Sequence, residues 1–413
     1  MSASTDALPV RNDFAVISLV GFVHAVSHFY HLVIPLLFPW LMPAFDMNFT
    51  EAGALMTVFF IISGVGQAAA GLVVDRIGSR PVLFGGVVLL ALSGLLLGVA
   101  QNYMMLMAAA AVAGAGNSVF HPADFTILNR RVSKPRLGHA FSVHGLSGNL
   151  GWAATPLLMT AVASAINWRA AAFSAAAVAV ISGVLLYALQ NVLEDETTQG
   201  AGSQRSGSHP PVSTLSVLRS PAVLLCFVFF FLITAAFGAL QNFSAAALKA
   251  MYGLSLATSA SCLSAYVLGG AAGIAAGGFL ATKRAQEQII AVCITFGAGM
   301  SLLLASGVAA DWAILPFMAL MGAGVGIAGP SRDLLVRKAA TKGLGEASFG
   351  RVYGFVYSGL DTGLATAPLI FGAIMDGGKY PLLWVGVAVF QVLAVFSALR
   401  VGRNAHSAHA ESR

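Results

Sequence analysis

Apolar residues in this chain do not alternate with polar ones. They run in blocks of about 20 or more separated by short polar connections, the pattern of helices long enough to cross the hydrocarbon core of a bilayer. Twelve blocks stand out: 15–41, 52–74, 81–101, 103–126, 138–163 and 168–190, then 221–245, 256–281, 287–308, 311–335, 346–372 and 381–400. A chain in lipid must satisfy its own backbone hydrogen bonds, and blocks of this length do so as helices. Between the sixth and seventh blocks, residues 191–220 turn polar, starting Asn191-Val-Leu-Glu-Asp-Glu196 and continuing through Gly, Ser and Gln. That composition reads as a linker between two domains.

Composition excludes a soluble alternative. Mean hydropathy is +0.83, and charged residues make up only 9% of the chain, against about 25% in ordinary soluble domains. The 45 glycines fit as well, since small residues let helix backbones approach closely in lipid. Charge then sets the orientation. With both termini cytoplasmic, all of the 22 lysines and arginines except Arg169, Lys249 and Lys379 fall on the cytoplasmic side. This positive-inside asymmetry predicts an integral protein of the cytoplasmic (inner) membrane. Its domains are a six-helix bundle at 1–190, a cytoplasmic linker at 191–220, and a second six-helix bundle at 221–413 ending in a short cytoplasmic tail. The net charge of +6 is thereby an insertion signal, and no segment supplies the basic groove that nucleic acid requires. Residues 1–14 are polar and the first block is long enough to span, so it is expected to remain as helix one and not to be cleaved. Cys226, Cys262 and Cys293 each sit inside a predicted helix, where core packing is expected and a disulfide framework is not.

The two halves echo each other. Gly66-Gln-Ala-Ala-Ala-Gly71-Leu-Val-Val-Asp75-Arg76 matches Gly273-Ile-Ala-Ala-Gly-Gly278-Phe-Leu-Ala-Thr282-Lys283, and Gly114-Ala-Gly116-Asn-Ser-Val-Phe-His-Pro122 matches Gly322-Ala-Gly324-Val-Gly-Ile-Ala-Gly-Pro330. A duplicated six-helix unit is a hallmark of secondary transporters, whose solute sites lie between repeats near the midplane.

The segment Gly71-Leu-Val-Val-Asp75-Arg76-Ile-Gly78-Ser79-Arg80 resembles the signature loop of the major facilitator superfamily, Gly-x-x-x-Asp-Arg-x-Gly-Arg-Arg/Lys. Phe120-His121-Pro122, the His-rich first helix and Gly145-Leu-Ser-Gly148-Asn149-Leu-Gly151 resemble the fosmidomycin-resistance-type exporters and their relatives. The resemblance implies an all-α membrane fold of twelve helices in two pseudo-symmetric six-helix bundles, secondary active transport by alternating access, and efflux as the direction. Some positions depart from the pattern. Ser79 replaces a basic residue of the loop, and Thr282 replaces the aspartate of its second copy. The Arg-x-x-Gln-Gly run of many proton-linked drug exporters is Ala110-Val-Ala-Ala113-Gly114 here, and their Gly-Pro pair in helix five is Thr155-Pro156.

In the loop, Gly71 and Gly78 are expected to permit close approach and a tight reversal, while Asp75 meets a helix N-terminus or a nearby arginine. Asp124 is expected within reach of Arg76 or Arg80, and Asp333 beside Lys283 and Arg284, as latches of a cytoplasmic gate. Arg332 belongs to the same latch or reaches toward an anionic solute.

Polar residues deeper in the blocks are the site candidates, because a charge at the bilayer centre is costly and persists mainly for function. His24, His28 and His31 occupy positions i, i+4 and i+7 and share one helix face. An imidazole exchanges protons near neutral pH, so His28, at mid-helix, is a coupling candidate. Asp361, at the centre of helix eleven and matching Asn149 of helix five, is the other. Asn117, Thr234, Gln241, Asn242 and Tyr266 are candidates for orienting hydrogen bonds, with Phe59, Phe60, Phe237 and Trp152 as apolar walls.

Two other classes compete. His24-x-x-x-His28-x-x-His31 has a spacing by which one helix offers imidazoles to a metal, as in histidine-box membrane enzymes. However, His121, His139 and His144 lie scattered and no carboxylate neighbours the stripe in sequence, so no metal or other cofactor is expected. A receptor or sensor would also suit the fold, without an appended signalling domain to support it. No Gly-x-x-x-x-Gly-Lys-Ser/Thr run occurs, so ATP does not drive transport from within this chain. The expected function is transport, not enzymatic chemistry. A small organic anion would move by alternating access with proton coupling, by export or by symport-type uptake of an organic acid. One chain would act as a monomer in the bilayer.

Overall fold

The computed structural model describes residues 10–193, 219–281, 286–344 and 349–410. Among them every regular element is helical. The first half contains α1 (Val10–Phe45), α2 (Phe49–Ile77), α3 (Ser79–Val99), α4 (Tyr103–Asn117), α5 (Phe120–Arg131), α6 (Leu137–Ala165) and α7 (Trp168–Ala188). The second contains α8 (Pro221–Tyr252), α9 (Leu256–Ala281), α10 (Gln286–Ala305), α11 (Asp311–Leu344), α12 (Phe349–Asp376) and α13 (Tyr380–Ala410). The expected linker lies, from 194 to 218, outside the described residues.

Among the described residues eleven spans are long and apolar enough to cross a membrane, with α4 and α5 joined as one at Tyr103–Arg131. The predicted fifth block, α6, is 29 residues long but is not among them. His139, Ser142, His144, Ser147 and Asn149 dilute its apolar character. Local chemistry sets the helix ends. The Asn102 side chain accepts from the Met105 amide at 3.0 Å, and Asn167 does the same for Ala170 at 2.8 Å, both N-caps that satisfy an orphan donor. Pro221 opens α8, and Gly253, at φ 67°, closes it in the left-handed region. The α2–α3 reversal falls on Gly78, whose φ of 88° disfavours any side chain. Gly71 differs: among the described residues a Cβ there would meet nothing within 4 Å, so they show no close approach of the kind expected at Gly71.

The chain forms two compact units. The first comprises, of the described residues, 10–37 and 61–193. Here Gly94 of α3 lies against Ala176 of α7, Gly86 of α3 against Gly116 and Val119, and Gly151 of α6 against the Ala25 carbonyl of α1. Tyr30 donates to the Ala175 carbonyl at 2.8 Å and Thr155 to that of Phe29 at 3.1 Å, tying α1 to α7 and α6. Asp13, at the start of α1, accepts from the Ser133 amide at 3.1 Å and from Arg136 at 2.8 Å.

The second unit comprises the second half together with the hairpin 38–60, the end of α1 and the start of α2. Contacts with α12 draw the hairpin in. The amides of Phe49 and Thr50 donate to Asp376 at 2.6 and 3.0 Å, and the Thr57 hydroxyl donates to the Ala365 carbonyl at 2.8 Å. Gly53 faces Pro368, and Phe38 and Phe49 lie against Phe243. In this unit Gly269, Gly273 and Gly277, four residues apart on α9, admit the α11 backbone at Ala319, Ala323 and Ile327. From α11, Gly322 and Gly326 meet the carbonyls of Tyr266 and Gly270 in return, the close small-residue crossing that lipid favours. An apolar core of Val223, Phe230, Ile290, Val336, Val356 and Ala398 fills the neighbouring end.

Candidate functional site

The polar centre of the first unit grows from the histidine stripe of α1. The stripe faces α6, whose Gly148 brings its backbone against the His28 ring. It also faces α5, which presents His121 and Asp124 one turn apart. The hydrogen-bond ladder is interrupted at Ser118 and Val119, between α4 and α5. Pro122 lacks the N–H that would have bonded the Ser118 carbonyl.

Five of the chain's nine histidines meet here. His24 stacks on His144 of α6 with ring centroids 3.5 Å apart and planes at 24°, and its ring lies 4.4 Å from His28 and 5.2 Å from His121. His28 in turn stacks on His31 at 4.9 Å and leans on Trp152 at 4.4 Å. Asp124 is fully buried. His144 Nε2 donates to its Oδ2 at 3.1 Å, and His24 Nδ1 lies 3.2 Å from the same oxygen without hydrogen-bond geometry. The latch expected between Asp124 and Arg76 or Arg80 is therefore replaced. Asp124 turns inward between α1 and α6, with imidazoles as its neighbours.

Two histidines are held by neutral partners. His31 Nε2 donates to Asn117 Oδ1 at 3.0 Å, the Asn117 amide donates to Ser63 at 2.8 Å, and the Trp152 indole donates to His31 Nδ1 at 3.3 Å. One tautomer satisfies both ring nitrogens, so His31 and Asn117 form a brace. His121 Nδ1 donates to Gln67 Oε1 at 2.9 Å, which leaves Nε2 of the neutral ring as an acceptor. Both nitrogens of His28, His24 Nδ1 and Asp124 Oδ1 are buried without a hydrogen-bond partner. A buried unsatisfied polar atom costs about 1–3 kcal/mol. Four in one cluster make a site that is stabilised by whatever supplies their partners.

The other expected residues divide. Asp361 is half-buried on α12, with no ion pair to its carboxylate among the described residues. Thr234 donates to the Phe230 carbonyl at 2.8 Å and to that of Leu360 at 3.1 Å, where Gly359 and Gly363 of α12 admit α8, which makes it a packing residue. Asn242 donates to its own helix at Gly238, 2.7 Å, and Gln241 is buried beside it. Tyr266 is buried and stacks on Phe237 at 5.9 Å. Arg332 Nε donates to Asp333 at 2.9 Å and places its guanidinium 4.7 Å over the Phe230 ring, and the Tyr357 hydroxyl adds a 3.3 Å bond to the same carboxylate. Lys283 and Arg284, the partners expected for Asp333, lie outside the described residues, as does the side chain of Asp75. Arg76 is exposed and Arg80 half-buried. Sequence reasoning set His121 and His144 aside as scattered, whereas both lie against His24, and it passed over Ser63 and Gln67. The available signal was two titratable residues one helical turn apart, His121 and Asp124, inside an otherwise apolar block.

An all-helical chain with this many spans, a duplicated sequence and a polar cluster inside one unit has the architecture of a polytopic membrane transporter. The sequence profile of the Major Facilitator Superfamily matches residues 17–349, and the chain belongs to that family. It is 25% identical over 333 residues to the fosmidomycin resistance protein of Escherichia coli K12, covering 78% of this chain and 76% of that one. It is likewise 25% identical over 384 residues to the membrane sensor protein UhpC of the same strain, covering 85% and 82%. A crystal structure of a bacterial homolog to the human lysosomal transporter Spinster, inward-facing and occupied, superimposes with a TM-score of 0.72 over 98% of both chains. At 13% identity that likeness shows the fold alone.

Proposed function

We propose that this major facilitator carries a small organic, negatively charged solute out across the cytoplasmic membrane in exchange for protons. Both termini would be cytoplasmic, and one chain, divided into bundles at 1–190 and 221–413, would be the working unit. The observation that carries the reading is His28. Its half-buried imidazole leans on Trp152 with both nitrogens shielded and unpartnered, and it offers an N–H to an anionic oxygen and an aromatic wall to the solute's apolar part. Asp361 is the proton-carrying group in this scheme, half-buried in a membrane helix, while Arg332 and Asp333 answer each other. The resistance relative favours export. The likeness to a membrane sensor protein supports a second reading, in which solute binding is reported and not followed by transport.

The test is a solute screen in proteoliposomes under an imposed pH gradient, with Asp361→Asn and His28→Ala beside the parent. Gradient-driven solute movement that collapses in Asp361→Asn, with His28→Ala raising the half-saturating concentration, is the expected result. Movement that follows only the solute's own gradient, unchanged in both variants, refutes the proton-coupled reading. Binding without movement selects the sensor.

A further inference from the structure

We propose that the first unit binds one divalent transition-metal ion of the zinc class between His24 Nδ1 of α1, Asp124 Oδ2 of α5 and His144 Nε2 of α6. The three residues each bring a ligand atom within 4.8 Å of those of the other two, and the separations of His24 Nδ1 and His144 Nε2 from the carboxylate oxygen are 3.2 and 3.1 Å. In a tetrahedral site with bonds of about 2.0–2.1 Å, neighbouring ligand atoms stand about 3.3 Å apart, so each imidazole already stands from the carboxylate at nearly the spacing that an ion imposes. Their side chains are at most 5% exposed.

A bound ion would take the place of the His144 Nε2 proton, the ring passing to its Nδ1–H tautomer, and the other polar atoms are left with hydrogen bonding incomplete. His24 Nδ1 stands beside the carboxylate without the alignment of a hydrogen bond, as ligands converging on a third point do, and Asp124 Oδ1 has no partner. A dication would also neutralise a carboxylate that the bundle otherwise buries among imidazoles. A second set, His24, His28 and His121, shares His24 and again lies within 4.8 Å. His28 and His121 are half-buried, and Gln67 fixes the His121 ring through Nδ1 so that Nε2 presents its lone pair, the usual way a ligand's outer nitrogen orients it. This outer set gives an ion a path to the deeper one. With imidazole and carboxylate donors and no sulfur, the site suits zinc, cobalt, nickel or copper and not the oxygen-liganded magnesium or calcium. The bound ion would join α1, α5 and α6 whether or not the solute proposed above is the cargo.

The experiment uses the full chain in detergent, stripped with a chelator, dialysed, and titrated with Zn²⁺ alone against a chromophoric competitor, with Co²⁺ as a spectroscopic substitute. One Zn²⁺ per chain is expected, with the intense visible bands of tetrahedral Co²⁺. Affinity should fall at least about a hundredfold in Asp124→Asn and in His144→Gln, more than outer-shell changes usually cost. It should hold in His139→Gln, an exposed position on the same helix, and in the tail variant His406→Gln/His409→Gln. Absence of a stoichiometric ion, parent-like affinity in both site variants, or loss of binding with the tail variant overturns the proposal. Should the site variants misfold, the Co²⁺ spectrum of the parent decides: weak octahedral bands alone refute the site.

Discussion

Asp376 ties the end of α12 to the first turn of α2, and its removal makes a local and quantitative prediction. The carboxylate accepts from the amides of Phe49 and Thr50 and from the Thr50 hydroxyl. It supplies acceptors and negative charge at a helix N-terminus whose first amides have no partner within the helix. Replacing such an acceptor costs about 0.5–2 kcal/mol, and losing the charge at a helix N-terminus about 0.3–1 kcal/mol. Asp376 is exposed, so the lower part of each range applies, and Asp376→Ala should cost about 1 kcal/mol in all. That corresponds to about a fivefold change in a local opening equilibrium. Asp376→Asn keeps an acceptor and loses the charge, so about twofold is expected.

Hydrogen–deuterium exchange of the detergent-solubilised protein reads this directly. Exchange at Phe49 and Thr50 should quicken by those factors. The Glu51 amide is bonded to Asn48 Oδ1 at 2.8 Å, while the Glu51 side chain accepts from the Asn48 amide at 2.9 Å. This capping box belongs to α2 itself and should keep Glu51 and Ala52 protected in every variant. Uniform acceleration across 48–57 would mean that Asp376 holds the whole helix start, and acceleration below about twofold at Phe49 and Thr50 in Asp376→Ala would mean that the contact contributes nothing. Either result would refute the reasoning.

Further substitutions test three other parts of the account. Asn117→Ala leaves the His31 N–H without its acceptor and Ser63 without its donor, and should cost about 1–3 kcal/mol in thermal unfolding; a cycle with His31→Phe should show coupling above about 0.5 kcal/mol. Gly322→Val drives a side chain into the Tyr266 backbone on α9 and should lower stability by 3 kcal/mol or so, whereas Gly278→Ala, with open space around it, should leave the melting temperature unchanged. Gly148→Ala places a methyl 2.7 Å from the His28 ring, which can tilt where backbone cannot. The folded protein should therefore persist while solute affinity falls about tenfold, 1.4 kcal/mol, and unaltered solute affinity would remove His28 from the solute site.

The helices were legible because a membrane span announces itself by length and apolarity alone, and the signature loop was legible because Gly78 must carry a positive φ that few residues tolerate. The shared face of His24, His28 and His31 followed from helical period. What that face meets did not. His121 and Asp124 come from a different helix, and His144 from a third, so their convergence depends on how α5 and α6 pack on α1. That packing is set by Gly148 and Gly151 against His28 and Ala25, contacts invisible in a one-dimensional pattern. The same holds for the 38–60 hairpin, whose place in the second unit rests on Asp376, Pro368 and Phe243, all more than three hundred or nearly two hundred residues away in the chain.

The internal repeat explains why the polar cluster belongs to one copy. Pro122 and Pro330 occupy matching positions and both lack an N–H, yet the ladder is interrupted at Ser118 and Val119 in the first copy while α11 runs through Pro330. Proline alone therefore does not decide the interruption. The residues around it differ. Asn117 and Ser118 correspond to Val325 and Gly326, and His121 to Gly329. In the second copy Gly326 takes the Gly270 carbonyl against it, and the helices close on each other backbone to backbone. In the first, the Asn117 side chain turns sideways to Ser63 and His31, and Ser118 stands where α2 approaches at Gly66. Side chains fill that crossing, and next to it His121 of α5 reaches Gln67 of α2. Charge follows the same division: Asp124 corresponds to Arg332, which its own neighbour Asp333 neutralises, whereas Asp124 must find its partners on α1 and α6. One copy closed its crossing with glycine, and the other kept the side chains that form a site.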